Sequence, residues 1–421
     1  MHACVHQTDR TGRIVVSTLL LFAQSATAAP IWIGAWAAAP QPSLPGTLDT
    51  FDKQSVRLIV HAGTSGTQLR VRFSNAYGDA PLEIGAAHVA RRERDAQIDP
   101  ASDRQLLFGG RADVKISARA AAVSDPVALD VAAGTDLAVS VFFPRATRAT
   151  TSHLLALQTS YVAAAGTGDV TGNASFPVQR TITTWPFLTG VDVAAPTPGT
   201  TIVAFGDSTV DGDGSTRDAN RRLTDMLAAR LNRSGRYGVL DEGIIGNRLL
   251  RGSPEETEFG AGFGESGLAR FARDALDAPG VACVIVRIGT NDIAFPGALA
   301  PHDPPVAAEA LAAGFRKLVA LAHARGVRVV GTTLPPFAGS TLAESFHTAQ
   351  KERVRTSVNA WLRTSGTFDA VVDADAALRD PDHPATLRAD YDSGDHTHPN
   401  DAGYARLADA IPLDVCSRAS R

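Results

Sequence analysis

The chain has 421 residues, of which 44% are hydrophobic and 20% charged, and its formal net charge is -4. This length accommodates roughly two or three domains, and it can bury a sizeable core without metals or disulfides. The chain lacks the basic excess that binding to a phosphate backbone requires, so nucleic acid is not an expected partner.

The first 29 residues have the layout of a secretory signal peptide. Arg10 and Arg13 precede an apolar run over residues 14–22, and the small residues Ala26 and Ala28 follow it. The apolar run is too short to span ~30 Å of hydrocarbon as a helix. We therefore expect a signal peptide over residues 1–29, a secreted or periplasmic mature protein, and no stable membrane insertion.

The next segment, residues 30–196, alternates between apolar and polar residues in short runs separated by turn residues. The clearest runs are residues 55–60, 68–73 and 136–143. Alternation at period two predicts half-buried antiparallel strands, and no amphipathic helix is predicted here. We expect an all-β domain of the sandwich or jelly-roll-like type. Trp32, Trp36 and Trp185 could stack on sugars, but packing in the core or between domains is the favoured interpretation.

After a Pro- and Gly-rich junction, residues 197–421 alternate between strands and helices. The strands are nearly continuous in apolar residues, which predicts a parallel sheet covered on both faces. Functional residues in such a sheet lie beyond the carboxyl ends of the strands. The predicted strands are residues 201–205, 239–241, 281–288, 327–334 and 368–372, and the predicted helices are residues 219–231, 307–325, 347–363 and 401–411.

The cysteines allow two interpretations. Cys283 lies in a predicted buried strand, Cys416 lies near the C-terminus, and Cys4 would leave with the signal peptide. A disulfide between Cys283 and Cys416 is compatible with an oxidising compartment. Two separate, small hydrophobic side chains are the favoured interpretation. No Cys/His spacing indicates zinc, and we expect neither a metal nor another cofactor.

Four short polar motifs fall on predicted loops of the α/β segment. Taken singly, each is ordinary turn chemistry and carries little information. Their sequences and positions are FGDS (residues 205–208), GIIGN (243–247), IGTND (288–292) and SGDHTHPN (393–400).

Two of these motifs contain the parts of an activated serine nucleophile. Ser208 follows the first strand, and a serine becomes a good nucleophile only beside a general base. Asp395 and His398 are three residues apart, so the carboxylate can orient the imidazole. His396 is a weaker rival for the base. A metal site of Asp395, His396 and His398 is disfavoured, because no further ligand is spaced to complete it.

The other two motifs contain hydrogen-bond donors for a developing oxyanion. Gly246 allows a backbone N–H to approach a substrate oxygen without a Cβ in the way. Asn291 can present its side-chain NH₂ to the same oxygen.

Together and in this order, the four motifs resemble the blocks of the SGNH (GDSL-type) hydrolase family. The resemblance implies a flavodoxin-like three-layer α/β/α domain with a parallel sheet. It also implies Ser208 as nucleophile, His398 as general base and then acid, and Asp395 as the partner of His398. The implied oxyanion hole consists of the Ser208 N–H, the Gly246 N–H and the Asn291 side chain. The segment that begins at residues 32–36 (WIGAW) resembles the β-rich module of a two-domain bacterial secreted subgroup.

These observations predict a secreted serine carboxylic ester hydrolase that works through an acyl-enzyme. The expected substrates are short acyl (acetyl) esters of polysaccharides or of small lipids. The alternative is a polysaccharide-binding protein with a vestigial hydrolase domain, although every catalytic position holds a chemically competent residue. The sequence leaves the acyl length, the alcohol part of the substrate and the oligomeric state open.

Overall fold

The computed structural model describes residues 30–44, 46, 48–195, 199–232, 236–254 and 259–417. The predicted signal peptide over residues 1–29 and part of the predicted junction, residues 196–198, lie outside the described residues. Within the described part, no helix combines the length and the apolar character needed to cross a membrane.

The segment before residue 195 is built from strands, as its alternating pattern predicts. Among its described residues the helical structure is a single turn of 3-10 helix, Pro100–Ser102. In chain order the strands are β1 (Trp32–Ala37), β2 (Gln41–Pro42), β3 (Thr50–Phe51), β4 (Gln54–Ala62), β5 (Gly66–Ser74), β6 (Leu82–Ile84), β7 (Ala86–Arg94), β8 (Gln97–Ile98), β9 (Arg104–Gln105), β10 (Val114–Ile116), β11 (Ala121–Val123), β12 (Val127–Val131), β13 (Thr135–Phe143), β14 (Thr147–Arg148), β15 (Thr151–Ser152), β16 (Ser160–Val162), β17 (Arg180–Ile182) and β18 (Leu188–Ala194).

Two antiparallel sheets share one hydrophobic core in this β-rich module. One sheet has the order β1-β18-β5-β11 with β12 beside β5, and the other has the order β17-β16-β4-β13-β7-β8 with β9 beside β7. Val71 and Val193 of the first sheet and Val60 and Val139 of the second belong to the same buried cluster. The strand-rich domain is confirmed, and the jelly-roll topology stays a prediction.

Two of the module's tryptophan residues pack in the interior, as the favoured interpretation predicts. Trp36 and Trp185 are buried and meet edge to face, with ring centroids 4.8 Å apart. Trp32 is half-buried beneath the guanidinium of Arg70, which lies 4.5 Å from its ring centroid. Two of the three rings therefore stabilise the interior.

The second segment alternates between strands and helices. Its strands are β19 (Thr200–Gly206), β20 (Tyr237–Gly243), β21 (Val281–Arg287), β22 (Arg328–Thr332) and β23 (Ala370–Val372). Its α-helices are α1 (Ser208–Asp211), α2 (Leu223–Leu231), α3 (Gly267–Phe271), α4 (Thr290–Ala294), α5 (Ala308–His323), α6 (Ala349–Thr364), α7 (Ala374–Leu378) and α8 (Asp401–Ala410). A π-helical turn, Ala272–Leu276, follows α3, and short 3-10 turns lie at Gly260–Phe263 and Ala389–Tyr391.

The five strands form a parallel sheet of order β20-β19-β21-β22-β23. In order along the chain this is 2-1-3-4-5, the flavodoxin-like arrangement. Val284 of β21 packs in the layer that contains α5 and α6, and Cys283 and Ile285 pack in the layer that contains α2 and α8. Successive strand residues point to opposite faces, so both faces are covered and the predicted three-layer α/β/α architecture is present.

Helix α2 begins later than the sequence pattern predicts. The predicted helix starts at residue 219, but Asn220 has a positive φ of 51° and the helix starts at Leu223. Asp225 accepts a hydrogen bond from the backbone N–H of Arg222 at 3.0 Å, and this contact caps the first turn.

Strand β1 joins the two segments through backbone contact. The N–H of Gly34 donates to Thr201 Oγ1 at 3.0 Å. A Cβ on Gly238 of β20 would lie 2.1 Å from the carbonyl oxygen of Gly34, far closer than real Cβ atoms approach. Only glycine therefore fits at Gly238, and the β-rich module lies directly on the edge strand of the parallel sheet.

Cys283 and Cys416 form a disulfide, so the interpretation of two separate thiols is wrong. The residues are 133 positions apart, and their Cα atoms lie 5.6 Å apart. The segment after α8 returns to the face of the sheet at which Cys283 points, and Cys416 packs against that cluster. Neither the sequence around Cys283 nor the sequence around Cys416 indicates that the chain returns to this face.

Candidate active site

Ser208 lies at the carboxyl end of β19, where the chain turns into α1. Asp207 is the N-cap of α1, and its Oδ1 accepts the backbone N–H of Thr209 at 3.2 Å. Ser208 is the first residue of the helix and is 7% exposed. The N–H groups of a first helical turn have no acceptor within the helix. The turn therefore places both a hydroxyl and an available N–H at the edge of the sheet.

The structure brings Ser208, His398 and Asp395 into one hydrogen-bonded line. Nε2 of His398 lies 2.8 Å from Ser208 Oγ, and its Nδ1 lies 2.6 Å from Asp395 Oδ2. Asp395 Oδ1 accepts the backbone N–H groups of Thr397 and His398, each at 2.8 Å. The Asp395 carboxylate thus orients the imidazole and also closes the turn that carries it.

Charges around the imidazole favour its protonated form. Burial alone would lower the pKa of His398, but Asp395 and the nearby Asp213 and Asp207 raise it above its usual value. Burial alone would raise the pKa of Asp395, but the hydrogen bond and charge of His398 and the two backbone donors hold it well below its usual range. Asp395 is therefore ionised at neutral pH and stabilises positive charge on His398.

His396 occupies a different position from His398. It is half-exposed, with a positive φ of 60°, and its Nδ1 lies 2.5 Å from Asp392 Oδ2. Of the two histidines, His398 is the one whose Nε2 lies within hydrogen-bonding distance of Ser208 Oγ. Among the described residues, no group of three or more His, Cys, Asp or Glu side chains is arranged to hold a metal ion.

The loop after β20 is anchored to both β19 and α1. The N–H of Ile244 donates to the carbonyl of Gly206 at 3.1 Å, and the N–H of Ile245 donates to Asp211 Oδ2 at 2.8 Å. Gly246 follows in the left-handed region with φ of 70°. The Gly246 loop therefore lies beside the helix that begins at Ser208.

Two further contacts fix this loop. Asn291 Nδ2 donates to the carbonyl of Asn247 at 2.9 Å, which places Asn291 next to the loop. A Cβ on Gly246 would lie 2.2 Å from Cδ1 of Phe263, so the site tolerates only glycine there. All four predicted motifs consequently meet at the carboxyl edge of the parallel sheet.

Three charged residues to which the sequence analysis assigned no role support this edge. Arg287 Nη1 binds both carboxylate oxygens of Asp207 at 2.7 and 3.0 Å. Burial raises the pKa of Asp207, although Arg287 opposes that shift. Asp213 Oδ2 lies 3.6 Å from His398 Nε2 and adds a second negative charge beside the imidazole. Arg287 interrupts an otherwise apolar strand, a signal that could have identified it from the sequence.

Arg270 lies fully buried beneath the site. It donates to Gly206 O at 2.7 Å, to Glu242 O at 3.0 Å and to Asn247 Oδ1 at 3.0 Å. Its charge is paired with Asp274 at 3.1 Å. The guanidinium therefore ties together the ends of β19 and β20 and the Gly246 loop, a role that no local motif indicates.

Comparisons with known proteins cover the second half of the chain. Residues 204–406 match the model of the GDSL-like Lipase/Acylhydrolase family. No curated protein matches the chain.

Solved structures with a similar fold cover about half of the chain. An aryl esterase from M. smegmatis is 19% identical and has a TM-score of 0.39, over 50% of this chain and 96% of its own. A GDSL-like lipase from Bacteroides thetaiotaomicron is 17% identical with a TM-score of 0.36, over 51% and 87%. An alpha/beta hydrolase from the metagenome of Lake Arreo is 22% identical with a TM-score of 0.36, over 51% and 93%. At these sequence identities and TM-scores, the similarity to solved structures gives no information about the substrate of this chain.

Proposed function

We propose, from the match of residues 204–406 to the model of the GDSL-like Lipase/Acylhydrolase family, that this chain is a serine carboxylic ester hydrolase. The observation that carries the proposal is the continuous line from Ser208 Oγ through His398 to Asp395, with distances of 2.8 and 2.6 Å. Such a line is what a weakly acidic hydroxyl needs to become a nucleophile at neutral pH.

In the proposed reaction, Ser208 Oγ attacks the acyl carbonyl carbon while His398 Nε2 accepts the hydroxyl proton. The tetrahedral intermediate collapses when the imidazolium donates that proton to the leaving alcohol oxygen, and the acyl group stays on Ser208. Water then attacks the acyl carbon while His398 accepts its proton; the bond from that carbon to Ser208 Oγ breaks, His398 returns a proton to Oγ, and the carboxylic acid leaves. Asp395 stabilises the imidazolium in both halves without itself taking the proton.

The negative charge on the former carbonyl oxygen would be stabilised by the Ser208 N–H, the Gly246 N–H and Asn291 Nδ2. One N–H of Asn291 is bound to the Asn247 carbonyl. An amide NH₂ has two donors, so the second is available to the substrate. Removing one donor from an oxyanion hole costs about 10²–10³ in rate.

We further propose that residues 1–29 are a signal peptide, residues 30–196 a β-rich module and residues 197–421 the catalytic domain of a secreted or periplasmic enzyme. The disulfide between Cys283 and Cys416 supports an oxidising compartment. Export favours an extracellular ester, so we propose short acyl (acetyl) esters of polysaccharides or small lipids as substrates. A vestigial hydrolase is not favoured, because the residues needed for the reaction are present and connected.

The direct experiment replaces the nucleophile. Ser208→Ala should lower kcat on p-nitrophenyl acetate by about 10⁴-fold or more, and it should prevent labelling by a fluorophosphonate probe. Ser357→Ala is the matched control, because Ser357 Oγ is exposed on α6 and bonds only to the carbonyl of Arg353 in its own helix. Full activity of Ser208→Ala would overturn the proposal. Esters of graded chain length and acetylated xylan would then define the substrate.

A further inference from the structure

A buried histidine of the β-rich module reaches the end of the nucleophile helix. His153 follows β15 and is 3% exposed. Its Nδ1 lies 2.9 Å from the carbonyl oxygen of Ala39, and its Nε2 lies 2.9 Å from Asp211 Oδ1. Asp211 is the last residue of α1, the helix that begins with Ser208.

The partners of His153 determine its protonation. The carbonyl of Ala39 can only accept a hydrogen bond, so Nδ1 must carry a proton. A carboxylate also only accepts, so Nε2 must carry a second proton when Asp211 is ionised. Asp211 Oδ2 already accepts the N–H of Ile245 at 2.8 Å, as an ionised carboxylate would. The geometry thus fits an imidazolium bound between two acceptors.

The surroundings of His153 are mostly negative on the side of the parallel sheet. Burial lowers the pKa of His153, but Asp211, the Ala39 carbonyl and Asp241 raise it above its usual value. Asp241 accepts hydrogen bonds from Thr224 Oγ1 and from the N–H of Gly243, both at 2.9 Å, and burial raises its pKa to about 7.

Other charged groups line the same small cavity between the module and the sheet. The cavity has a volume of about 20 Å³, which is enough for one water molecule. Arg222 lies there with its guanidinium 5.5 Å from the ring centroid of Trp185, and it pairs with Asp225 at 3.3 Å. His61 also lines the cavity and pairs with Asp136 at 2.7 Å. Arg222 and His61 thus each pair with a carboxylate other than Asp211. The charge of Asp211 is paired with His153.

We propose that His153 is a positioning residue of the esterase site and acts as a buried imidazolium supplied by the β-rich module. It holds Asp211, and Asp211 in turn holds both the end of the nucleophile helix and the N–H of Ile245, next to Gly246. This inference rests on the proposed function. The β-rich module thus contributes a residue that positions the catalytic site and is not only a separate sugar-binding domain.

Loss of the second proton would break this arrangement. A neutral imidazole has one donor, so either Ala39 O or Asp211 Oδ1 would face a lone pair. A buried carboxylate without its partner is strongly unfavourable, so Asp211 would move away from this position. Because the folded-state pKa of His153 is raised, the stabilisation is fully present below about pH 6.5 and is lost as the pH rises through the higher folded-state pKa. The Gly246 loop would shift with Asp211.

Nuclear magnetic resonance on the full-length protein tests the protonation independently of any activity. Long-range ¹H–¹⁵N spectra of ¹⁵N-histidine-labelled protein distinguish an imidazolium from either neutral tautomer, and the missing signal in His153→Gln assigns the residue. We expect the His153 signals to titrate at a higher pH than those of a free histidine in the same buffer, because both ring nitrogens face acceptors. Titration at or below the pH of the free histidine would overturn the inference, whether or not the protein hydrolyses esters.

Kinetics test the positioning role. Glutamine can donate to Asp211 but carries no charge, and both of its donors are on one nitrogen, so it cannot also replace the Nδ1 donor to Ala39 O. His153→Gln should therefore lower kcat by about 10- to 100-fold with KM changed by less than about twofold. We expect kcat of the wild-type protein to fall at alkaline pH as His153 deprotonates, and this fall should be absent from His153→Gln. His88→Gln is the matched control, because His88 forms an analogous pair with Asp103 at 2.9 Å within the same module.

Equal kcat values for His153→Gln and His88→Gln would overturn the positioning role. An unchanged alkaline fall in His153→Gln would do the same. If near-ultraviolet circular dichroism shows that His153→Gln does not fold, the wild-type protein still tests the proposal. Its kcat and its His153 signals must then change over the same pH range, and different ranges would overturn the positioning role. Absence of ester hydrolysis by the wild-type protein would instead refute the proposed function.

Discussion

Replacing Asp395 by asparagine isolates the effect of the histidine tautomer on catalysis. The amide oxygen of Asn can keep the place of Oδ1, which accepts the backbone N–H groups of Thr397 and His398 at 2.8 Å. Its NH₂ then takes the place of Oδ2, 2.6 Å from His398 Nδ1. Because an NH₂ only donates, Nδ1 must become the acceptor and the proton must sit on Nε2. A protonated Nε2 cannot accept the proton of Ser208.

The expected cost follows from this loss of the base. We predict that Asp395→Asn lowers kcat by about 10⁴-fold, the scale measured for such a tautomer change in a serine protease triad. At 1.36 kcal/mol per tenfold change, this is about 5.5 kcal/mol of lost transition-state stabilisation. Asp395 has a lowered pKa, so its contribution to stability is present above about pH 3.9 and is lost as the pH falls through the lower folded-state pKa. The variant should therefore also be less stable at neutral pH.

The assay is steady-state hydrolysis of p-nitrophenyl acetate across pH. Wild-type kcat/KM should rise as His398 loses its proton, with a midpoint above the ordinary pKa of histidine, because Asp395, Asp213 and Asp207 raise that pKa. His396→Gln is the control and should keep activity within about twofold, since exposed ion pairs contribute little. An Asp395→Asn variant within tenfold of wild type would refute the role of Asp395.

Two further predictions concern the oxyanion site and the disulfide. Asn291→Ala should lower kcat by about 10²–10³ with little change in KM, measured on the same ester, and a loss confined to KM would contradict the oxyanion role. The double variant Cys283→Ala/Cys416→Ala should lower the free energy of unfolding by about 2–4 kcal/mol, measured by urea denaturation. Equal unfolding midpoints for this variant and the wild type would show that the disulfide does not stabilise the fold.

The sequence was informative wherever local periodicity decides structure. The apolar run before Ser208 and the strand that precedes Asn291 are both observed as neighbouring parallel strands, β19 and β21. Parallel strands end at one edge, so motifs distant in sequence meet there. This explains why the Gly-Asp-Ser turn, uninformative alone, could be predicted to lie near Asn291, whereas the place of His398 followed from the resemblance to the SGNH family.

The features that the sequence did not reveal depend on contacts between distant segments. His153 lies in a segment without any motif, and one of its partners is the main-chain carbonyl of Ala39, which leaves no trace in residue identity. The disulfide depends on the path of the chain after α8, and Arg270 acts through backbone acceptors on two strands. Local patterns cannot encode such pairings, because each depends on how completed elements pack.

The position of β1 has a consequence for the order in which the chain can fold. Trp32 at its start pairs with Ala194 at the end of β18, and Gly34 lies against Gly238 of β20. Strand β1 is synthesised long before these partners, so it waits for segments from the middle of the chain. Contacts over such separations slow folding, since the chain must close long loops before they form. Until then the edge of β18 that pairs with β1 is uncovered, and nascent chains are most prone to aggregate.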